Sequence, residues 1–230
     1  MSQNYGANII TDNLAMHVDP ANPKSYPGTG TTVYDLSGNS KNGSLIGGTS
    51  YNASNNGTFY FDGVNGVINF GTGSTFFPLT NFAIDMWFSS DGTTPTTGTS
   101  PGLFGGTYGM RLFVGSSALS FYLDSGTAFP GISSPSSYSF YNSSWHHVVA
   151  QSTANTMSLY IDGSLAVSSS ITTWLGITRW PTNSFNFGQD NNNVMYYFRG
   201  KMGPIKMYRR VLTATEVTQN FNAVRGRYGL

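Results

Sequence analysis

Residues 145–167 read WHHVVAQSTANTMSLYIDGSLAV, three runs of strand-forming residues separated by two short polar breaks. The last two runs flank Asp162 and Gly163. An Asp-Gly pair between such runs is the strongest short-range signal for a β-hairpin, because a type I′ turn needs a positive φ at both central residues. This stretch therefore predicts antiparallel strands joined by a tight turn.

The rest of the chain is also rich in strand signals. Further strand-like segments lie at residues 82–88, 110–114, 119–123, 184–187 and 197–208. The 230 residues include 28 glycines, 14 tyrosines and 16 phenylalanines, and the charged fraction of 9% is far below the usual quarter. This composition is typical of many short strands joined by turns, and it argues against a helical bundle or a coiled coil. We predict one all-β domain, because sandwiches of this length are routinely single domains.

One helix is predicted near the C-terminus. Thr213 can cap its first turn, and Glu216, three residues later, can complete a capping box. Gly226 lies where a glycine that ends a helix is expected. An apolar stripe at helical spacing follows the cap, formed by Val217, Phe221 and Val224. We interpret the stripe as the face that packs the helix onto the sheet.

Eight short motifs occur in an order that is itself informative. They are LAMHVD (14–19), NPKSY (22–26), YDLSGN (34–39), FYFDG (59–63), FAIDMW (82–87), WHHV (145–148), LYIDG (159–163) and FRGKM (198–202). Together with the helix they resemble the laminin-G-like members of the concanavalin A-like lectin/glucanase superfamily. The segments at 22–26 and 226–229 especially resemble the versions found in tailed-phage structural proteins.

The resemblance implies a jelly-roll sandwich of two antiparallel sheets with one short C-terminal helix. It places the domain at residues 14–230, preceded by an N-terminal arm at residues 1–13. In this fold we expect Trp87 and Trp145 to be core aromatics between the two sheets.

The acidic residues argue against an enzyme. The glucanase branch of the superfamily works with paired carboxylates, which lie about 5 Å apart in retaining enzymes and further apart in inverting ones. This chain has a single glutamate, Glu216, and its nine aspartates are scattered with no two at i, i+2 along a strand. No GxSxG nucleophile motif is present either. We therefore predict a protein without catalytic activity.

A saccharide site is predicted between two loop-like segments. Its candidate residues combine aromatic rings for stacking with amide and carboxylate groups for hydrogen bonds. They are Trp174, Trp180, Asp190, Asn192 and Tyr196. The alternative interpretation is that the tryptophans cover a sheet edge or contact a neighbouring subunit.

The C-terminal region is strongly basic. Residues 199–230 contain seven basic residues and one acid, whereas residues 1–198 contain four basic and nine acidic residues. Lys206, Tyr208 and Arg210 alternate along a predicted strand and so share one face. We predict a docking face there for an acidic partner or for another copy of the chain. The alternative is a solvated strand face beside a helix end.

Calcium is the cofactor that the resemblance allows, because related domains often bind it through carboxylate and carbonyl oxygens. The candidate ligands are Asp19, Asp35 and Asn39. In many relatives a pair of aspartates follows the late glycine, but residues 200–205 here read GKMGPI, with a lysine and no carboxylate. His146 and His147 are adjacent and would point to opposite faces of a strand, which argues against zinc. No other cofactor is expected.

The sequence therefore predicts a non-enzymatic interaction module. The resemblance favours a virion component, such as a capsid decoration, fibre or tail-associated protein, which could also adhere to host-surface glycans. Its expected partners are other virion proteins and further copies of itself. A free lectin-like carbohydrate-binding protein is the alternative, and a glycoside hydrolase is a distant one.

Charge and hydropathy bear on the remaining partners. The net charge of +1 gives no reason to expect nucleic acid as a partner. No apolar run reaches the roughly 18 residues of a membrane span, and the first residues do not resemble a signal peptide. Cysteine is absent, so disulfides are excluded.

Overall fold

The computed structural model describes residues 8–72, 81–93, 101–106, 109–115, 117–124, 129–171, 184–189 and 197–230. Within these residues, two antiparallel sheets of eight strands each lie on either side of a shared apolar core. The architecture confirms the predicted all-β, two-sheet jelly-roll sandwich with one short C-terminal helix.

Sheet A has eight strands. In spatial order its strands are β14 (Ser164–Ser170), β13 (Thr156–Ile161), β12 (His146–Ser152), β7 (Phe82–Ser90), β16 (Arg199–Tyr208), β5 (Thr58–Asp62) and β4 (Ser50–Asn52), and β1 (Leu14–Val18) also pairs with β16. All nine residues of β7 are buried, so this strand is covered on both faces.

Sheet B stacks on the inner face of sheet A. In spatial order its strands are β11 (Gly131–Ser133), β10 (Leu119–Leu123), β9 (Met110–Val114), β8 (Gly102–Gly106), β15 (Ser184–Phe187), β6 (Val67–Thr72), β3 (Gly43–Ile46) and β2 (Thr32–Val33). Along β9 and β10, buried residues alternate with partly exposed ones. The outer face of these two strands is therefore not part of the core.

The predicted hairpin at Asp162 and Gly163 is confirmed. These residues have φ values of 50° and 81°, and they join β13 to β14 in antiparallel pairing. The Asp162 carboxylate accepts a hydrogen bond from the backbone N–H of His147 at 2.9 Å, which fixes the turn against β12. Asp162 and Gly163 therefore form a tight turn and join two antiparallel strands, as predicted, because each residue tolerates a left-handed backbone.

The helix α1 (Ala214–Val224) lies on the outer face of sheet A. Its capping box is present as predicted, since the Thr213 hydroxyl accepts from the Glu216 N–H and the Glu216 carboxylate accepts from the Thr213 N–H. Val217 is fully buried against the sheet, and Phe221 stacks on Trp87 with ring centroids 5.6 Å apart. The apolar stripe therefore packs onto the sheet, as expected.

Two expectations about this region are wrong. Gly226 does not end the helix, because the chain continues as a 3-10 turn over Arg225–Tyr228 and Gly229 then takes a φ of 75°. Trp87 does not lie between the sheets, because its ring packs on the outer face of sheet A among Phe221, Tyr228 and His147. Trp145 belongs to this outer cluster as well.

The described part of the predicted N-terminal arm is packed against the domain. The Ile10 N–H donates to the Asn220 side chain at 2.8 Å, and the Ile10 carbonyl accepts from the Tyr208 hydroxyl at 3.0 Å. The Gln219 side chain donates to the Asn8 carbonyl at 2.7 Å. Residues 8–13 thus join the helix in covering sheet A, and residues 1–7 lie outside the described residues.

Among the described residues, α1 is too short to cross a membrane and no other helix is long and apolar enough to do so.

Candidate functional site

The two sheets differ in what covers their outer faces. Sheet A is covered by α1, the 3-10 turn and residues 8–13, which seal its outer clusters. On sheet B, the outward side chains of β9 and β10 remain partly exposed, while Met110, Leu112 and Val114 between them are buried in the core. The outward side of β9 and β10 is therefore a partly exposed surface of sheet B, whereas all five residues of β8 are buried.

Two aromatic rings project from this partly exposed surface. Phe113 and Tyr122 lie on neighbouring strands with ring centroids 6.1 Å apart and ring planes at 67°. Tyr122 is paired across β11 with Gly131, where an added Cβ would lie only 2.3 Å from Tyr122 Cδ1. The missing side chain at Gly131 therefore allows the Tyr122 ring to lie along the sheet surface.

One row of residues runs across six strands of sheet B, and its members on β8 and β15 are buried. Successive members of the row are directly paired in the sheet register. In order across the sheet they are Asn69, Asn186, Gly105, Arg111, Tyr122 and Gly131. The Asn69 amide donates to the Asn186 carbonyl oxygen at 2.9 Å, and on the neighbouring row the hydroxyls of Ser120 and Ser133 hydrogen-bond at 2.8 Å. Rings and hydroxyls therefore share the partly exposed surface of β9, β10 and β11, whereas Asn186 and all of β8 are buried.

Arg111 is the one charged residue in the strands of sheet B, all of which lie within the described ranges. It is directly paired with Tyr122, and its guanidinium Cζ lies 5.8 Å from the centroid of the Phe113 ring. This distance is within the range of a cation–π contact. The charge therefore sits beside both aromatic rings.

The described acids are used in structural contacts. Nine of the ten acids are described, and eight of them have the following partners. Asp12, Asp19, Asp91 and Glu216 pair with arginines, Asp85 with Lys206, Asp162 with His146, and Asp35 and Asp62 accept backbone N–H groups. Asp124 is buried, with 2% of its surface exposed. These carboxylates therefore do not form a cleft pair of the kind that glycoside hydrolysis needs.

Lys206 and Tyr208 do not form the predicted docking face. Both are fully buried beneath α1, because their side of β16 is the face that the helix covers. Lys206 contacts the buried carboxylate of Asp85, whose other oxygen accepts from Asn220 at 2.8 Å. Burial also raises the pKa of Tyr208, whose hydroxyl accepts from Asn220 at 3.0 Å. The predicted docking face is therefore wrong. Lys206 and Tyr208 do lie on one side of β16, as predicted, but that side is internal.

Arg210, the third residue of the predicted docking face, is held in ion pairs. Its guanidinium contacts the Glu216 carboxylate at 2.7 and 2.8 Å and the Asp12 carboxylate at 2.7 Å. The hydrogen bonds from Arg210 lower the pKa of Glu216 to about 2. Arg210 therefore joins the N-terminal segment to the start of α1, and much of the apparent basic excess is neutralised by contacts of this kind.

The three candidate calcium ligands use their polar groups elsewhere. The Asp19 carboxylate receives two hydrogen bonds from Arg227, at 2.8 and 2.9 Å. Asp35 accepts from the backbone N–H groups of Ser37 and Lys41, and Asn39 donates its amide to the Leu14 carbonyl. Within the described residues, no group of three or more acids and histidines is placed to hold a metal ion.

The predicted saccharide residues Trp174, Trp180, Asp190, Asn192 and Tyr196 lie outside the described residues. Phe113 and Tyr122 were not among the predicted site residues, although their sequence positions carry a signal. Phe113 alternates with Arg111 along β9, and Tyr122 alternates with Ser120 along β10. The other residues of these two strands are apolar. An aromatic residue at an outward position of such a strand is a cue for a binding surface.

Comparison with known proteins assigns the chain to a family. Residues 62–218 match the Laminin_G_3 model of the concanavalin A-like lectin/glucanases superfamily, so the chain belongs to this superfamily. The family predicted from the motif order is thereby confirmed. No curated protein matches the chain.

Solved structures share the fold at low sequence identity. The binding domain of Paraclostridial Mosquitocidal Protein 1 is 19% identical with a TM-score of 0.72, over 93% of this chain and 52% of that one. Domain 4 of AbnA, a GH43 extracellular arabinanase from Geobacillus stearothermophilus solved with arabinotriose, is 16% identical with a TM-score of 0.67, over 91% and 98%. The binding domain of botulinum neurotoxin DC in complex with SialylT is 15% identical with a TM-score of 0.69, over 93% and 52%.

The chain thus spans about half the length of the two toxin binding domains and nearly all of the arabinanase domain. At these identities the likeness shows a common fold. All three neighbours are described as binding domains or as a domain in complex with a saccharide.

Proposed function

We propose that this chain is a non-catalytic, lectin-like module that binds a saccharide on the outer face of sheet B. The observation that carries the proposal is the outward pair Phe113 and Tyr122, on a sandwich whose other outer face is covered. Apolar C–H faces of a sugar ring stack on aromatic rings, and its hydroxyls bond to amide and hydroxyl side chains. Phe113 and Tyr122 supply the rings, and Ser120 and Ser133 supply hydroxyls, on the partly exposed surface of β9, β10 and β11.

Two structural neighbours support this assignment. The arabinanase domain, 98% of which matches this chain, was solved with arabinotriose, and the botulinum neurotoxin DC domain, of which 52% matches, was solved with SialylT. The paired state of the described acids supports a binding role over hydrolysis. Trp174, Trp180, Asp190, Asn192 and Tyr196 remain predicted contributors to a saccharide site.

The test is a glycan array followed by calorimetric titration of the strongest hit. We expect Tyr122→Ala and Phe113→Ala each to weaken binding at least about threefold, the scale of one lost aromatic contact. Gly131→Ala should also weaken binding, because its Cβ would displace the Tyr122 ring. Tyr34→Ala is the matched control. It removes an aromatic residue that is 45% exposed and does not belong to the pair of Phe113 and Tyr122. Binding that survives all three site variants would refute the proposal.

A virion component is the second candidate. The two segments that resemble tailed-phage structural proteins are linked through Asp19, which receives two hydrogen bonds from Arg227 and donates its N–H to Ser25 Oγ at 3.0 Å. In this role the chain would serve as a capsid decoration, fibre or tail-associated domain and would contact other virion proteins or its own copies. Mass spectrometry of purified particles tests this role. A chain absent from particles and monomeric by light scattering would exclude it.

A further inference from the structure

We propose that the side chains of Lys206 and Asn220 become joined by an isopeptide bond, with Asp85 carrying the protons of the reaction. The bond forms within the folded chain, from Lys206 Nζ to Asn220 Cγ, and ammonia is released. This inference goes beyond saccharide binding, because it concerns the outer face of sheet A and needs no ligand.

The first observation is that one carboxylate bridges the two reacting groups. Lys206 and Asp85 are directly paired on β16 and β7, and Lys206 Nζ contacts Asp85 Oδ1. The Asn220 amide, which projects from α1, donates to Asp85 Oδ2 at 2.8 Å. The Asp85 carboxylate therefore contacts both nitrogen atoms that must exchange protons in the reaction.

The second observation is that the site is dry. Lys206, Asp85 and Asn220 are all fully buried on the face of sheet A that α1 covers. The apolar cluster on this face consists of Ala83, Val149, Tyr160, Tyr208, Leu212 and Val217. A site of this kind excludes the water that would compete with the amine, and holding two reactants together removes most of the entropy cost of their encounter.

The third observation is that the Asn220 amide is fixed in an orientation suited to attack. Its Oδ1 accepts from the backbone N–H of Ile10 at 2.8 Å, and its Nδ2 also donates to the Tyr208 hydroxyl at 3.0 Å. Negative charge develops on Oδ1 when an amine attacks Cγ, and a fixed N–H donor stabilises that charge. The Ile10 N–H therefore favours the addition step.

The reaction balances without a co-reactant. The Lys206 ammonium gives one proton to Asp85, and the neutral Nζ attacks Asn220 Cγ, so that the carbonyl electrons move onto Oδ1. Asp85 passes its proton to Nδ2 and accepts the second proton from Nζ. The Oδ1 electrons then return, the Cγ–Nδ2 bond breaks, and ammonia leaves with the proton that Asp85 holds. The new amide remains, and Asp85 is again a carboxylate.

The bond forms slowly from the ion pair that the structure shows. Burial raises the pKa of Asp85, but Lys206 and His147 lower it below its ordinary value, so the first proton transfer is unfavourable. A freshly folded chain therefore holds the ion pair, and the linked form accumulates from it. The amide N–H of linked Lys206 still donates to Asp85, while the cross-link holds α1 on sheet A and restricts the unfolded chain.

The experiment measures the intact mass of the wild-type chain at successive times after purification. We expect the folded chain to accumulate a species lighter by one ammonia, and a parallel sample held in urea to accumulate none. Succinimide formation at an Asn-Gly pair loses the same mass, so a tryptic digest must locate the change. Trypsin does not cleave after an acylated lysine, and we therefore expect residues 202–209 joined to residues 211–225.

Three variants separate the roles of the residues. Asn220→Ser removes the carboxamide, and Asp85→Asn removes the proton carrier while keeping the shape of the side chain, so neither should form the linked peptide. Asn222→Ser is the matched control, because it replaces an exposed asparagine on the same helix and should link as the wild type does. Thermal unfolding of each variant verifies that it is folded when its mass is measured.

The wild-type chain alone can refute the proposal. A folded chain that keeps its full sequence mass at every time would reject the bond. A linked peptide that persists in Asn220→Ser would reject Asn220 as the acceptor. A bond from Lys206 to Asp85 itself, recognised by the loss of one water, would reject the role given to Asp85.

Discussion

Replacing Lys206 with methionine should destabilise the fold severely. The substitution keeps most of the aliphatic volume but removes the ammonium group that contacts Asp85, where both side chains are fully buried. Breaking a buried ion pair by removing one partner costs about 3–5 kcal/mol. For a chain of this size each kcal/mol lowers Tm by roughly 2–4 °C, so the melting temperature should fall by about 6–20 °C.

The pH dependence of this loss has a definite sign. Burial by itself raises the pKa of Asp85. The contacts with Lys206 and His147 lower this pKa by more than burial raises it, so the net pKa is below the ordinary value. In the wild type this contribution is therefore present above the unfolded pKa and fades as the pH falls through the folded one. Without Lys206 burial dominates, so the folded pKa rises and stability is lost as the pH increases. The gap between wild type and variant should widen from pH 4 to pH 7.

The assay is urea unfolding followed by tryptophan fluorescence at several pH values. Lys201→Met is the matched control, since Lys201 lies on the same strand and has a half-buried side chain bonded to Ser54 at 3.2 Å. It should cost no more than about 0.5 kcal/mol. The double variant Asp85→Leu with Lys206→Met should recover part of the loss, because an apolar pair replaces a buried charge pair at little cost while buried Asn220 and His147 lose Asp85 as a partner. A loss below about 1 kcal/mol in Lys206→Met, or no recovery in the double variant, would refute the reasoning.

Three further predictions concern local features, each read by thermal or urea unfolding. Thr213→Ala removes the helix cap and should cost about 0.5–2 kcal/mol, while Thr213→Ser should restore it. Gly163→Ala should cost about 1–3 kcal/mol, because φ is +81° and the new Cβ would lie 2.9 Å from Phe221; a neutral result would contradict the described turn. Burial, and then the charge of Lys206, lower the pKa of His17 to about 4, so wild-type stability should decline from about pH 6.5 to pH 4. His17→Gln should reduce that decline. An unchanged slope of stability against pH in this variant would assign the decline to other groups.

Much of the fold could be predicted from signals between residues that are close together in the sequence. The Asp162-Gly163 turn and the Thr213–Glu216 capping box depend on residues within a few positions of one another, and both are confirmed. The motif order also placed the chain in its superfamily, and the family match confirms it.

The site was less accessible to sequence reasoning. Arg111, Phe113 and Tyr122 were visible as outward residues of two amphipathic strands, but nothing local says that this face stays open. Loop composition drew attention instead to residues 174–196. Whether an outward aromatic residue meets solvent or another element depends on the packing of the whole chain.

The sequence by itself determined the helix and about half of the strands, and that Lys206 and Tyr208 share one side of a strand. Only the tertiary structure decided that this side is internal, because an amphipathic helix specifies that it must cover an apolar surface without specifying which sheet it covers. Once α1 lies on sheet A, Lys206 needs Asp85, Trp87 lies outside the inter-sheet core, and the outward side of β9 and β10 in sheet B stays partly exposed. That division arises because backbone preferences act over a few residues, whereas burial is decided by contacts between segments far apart in the chain.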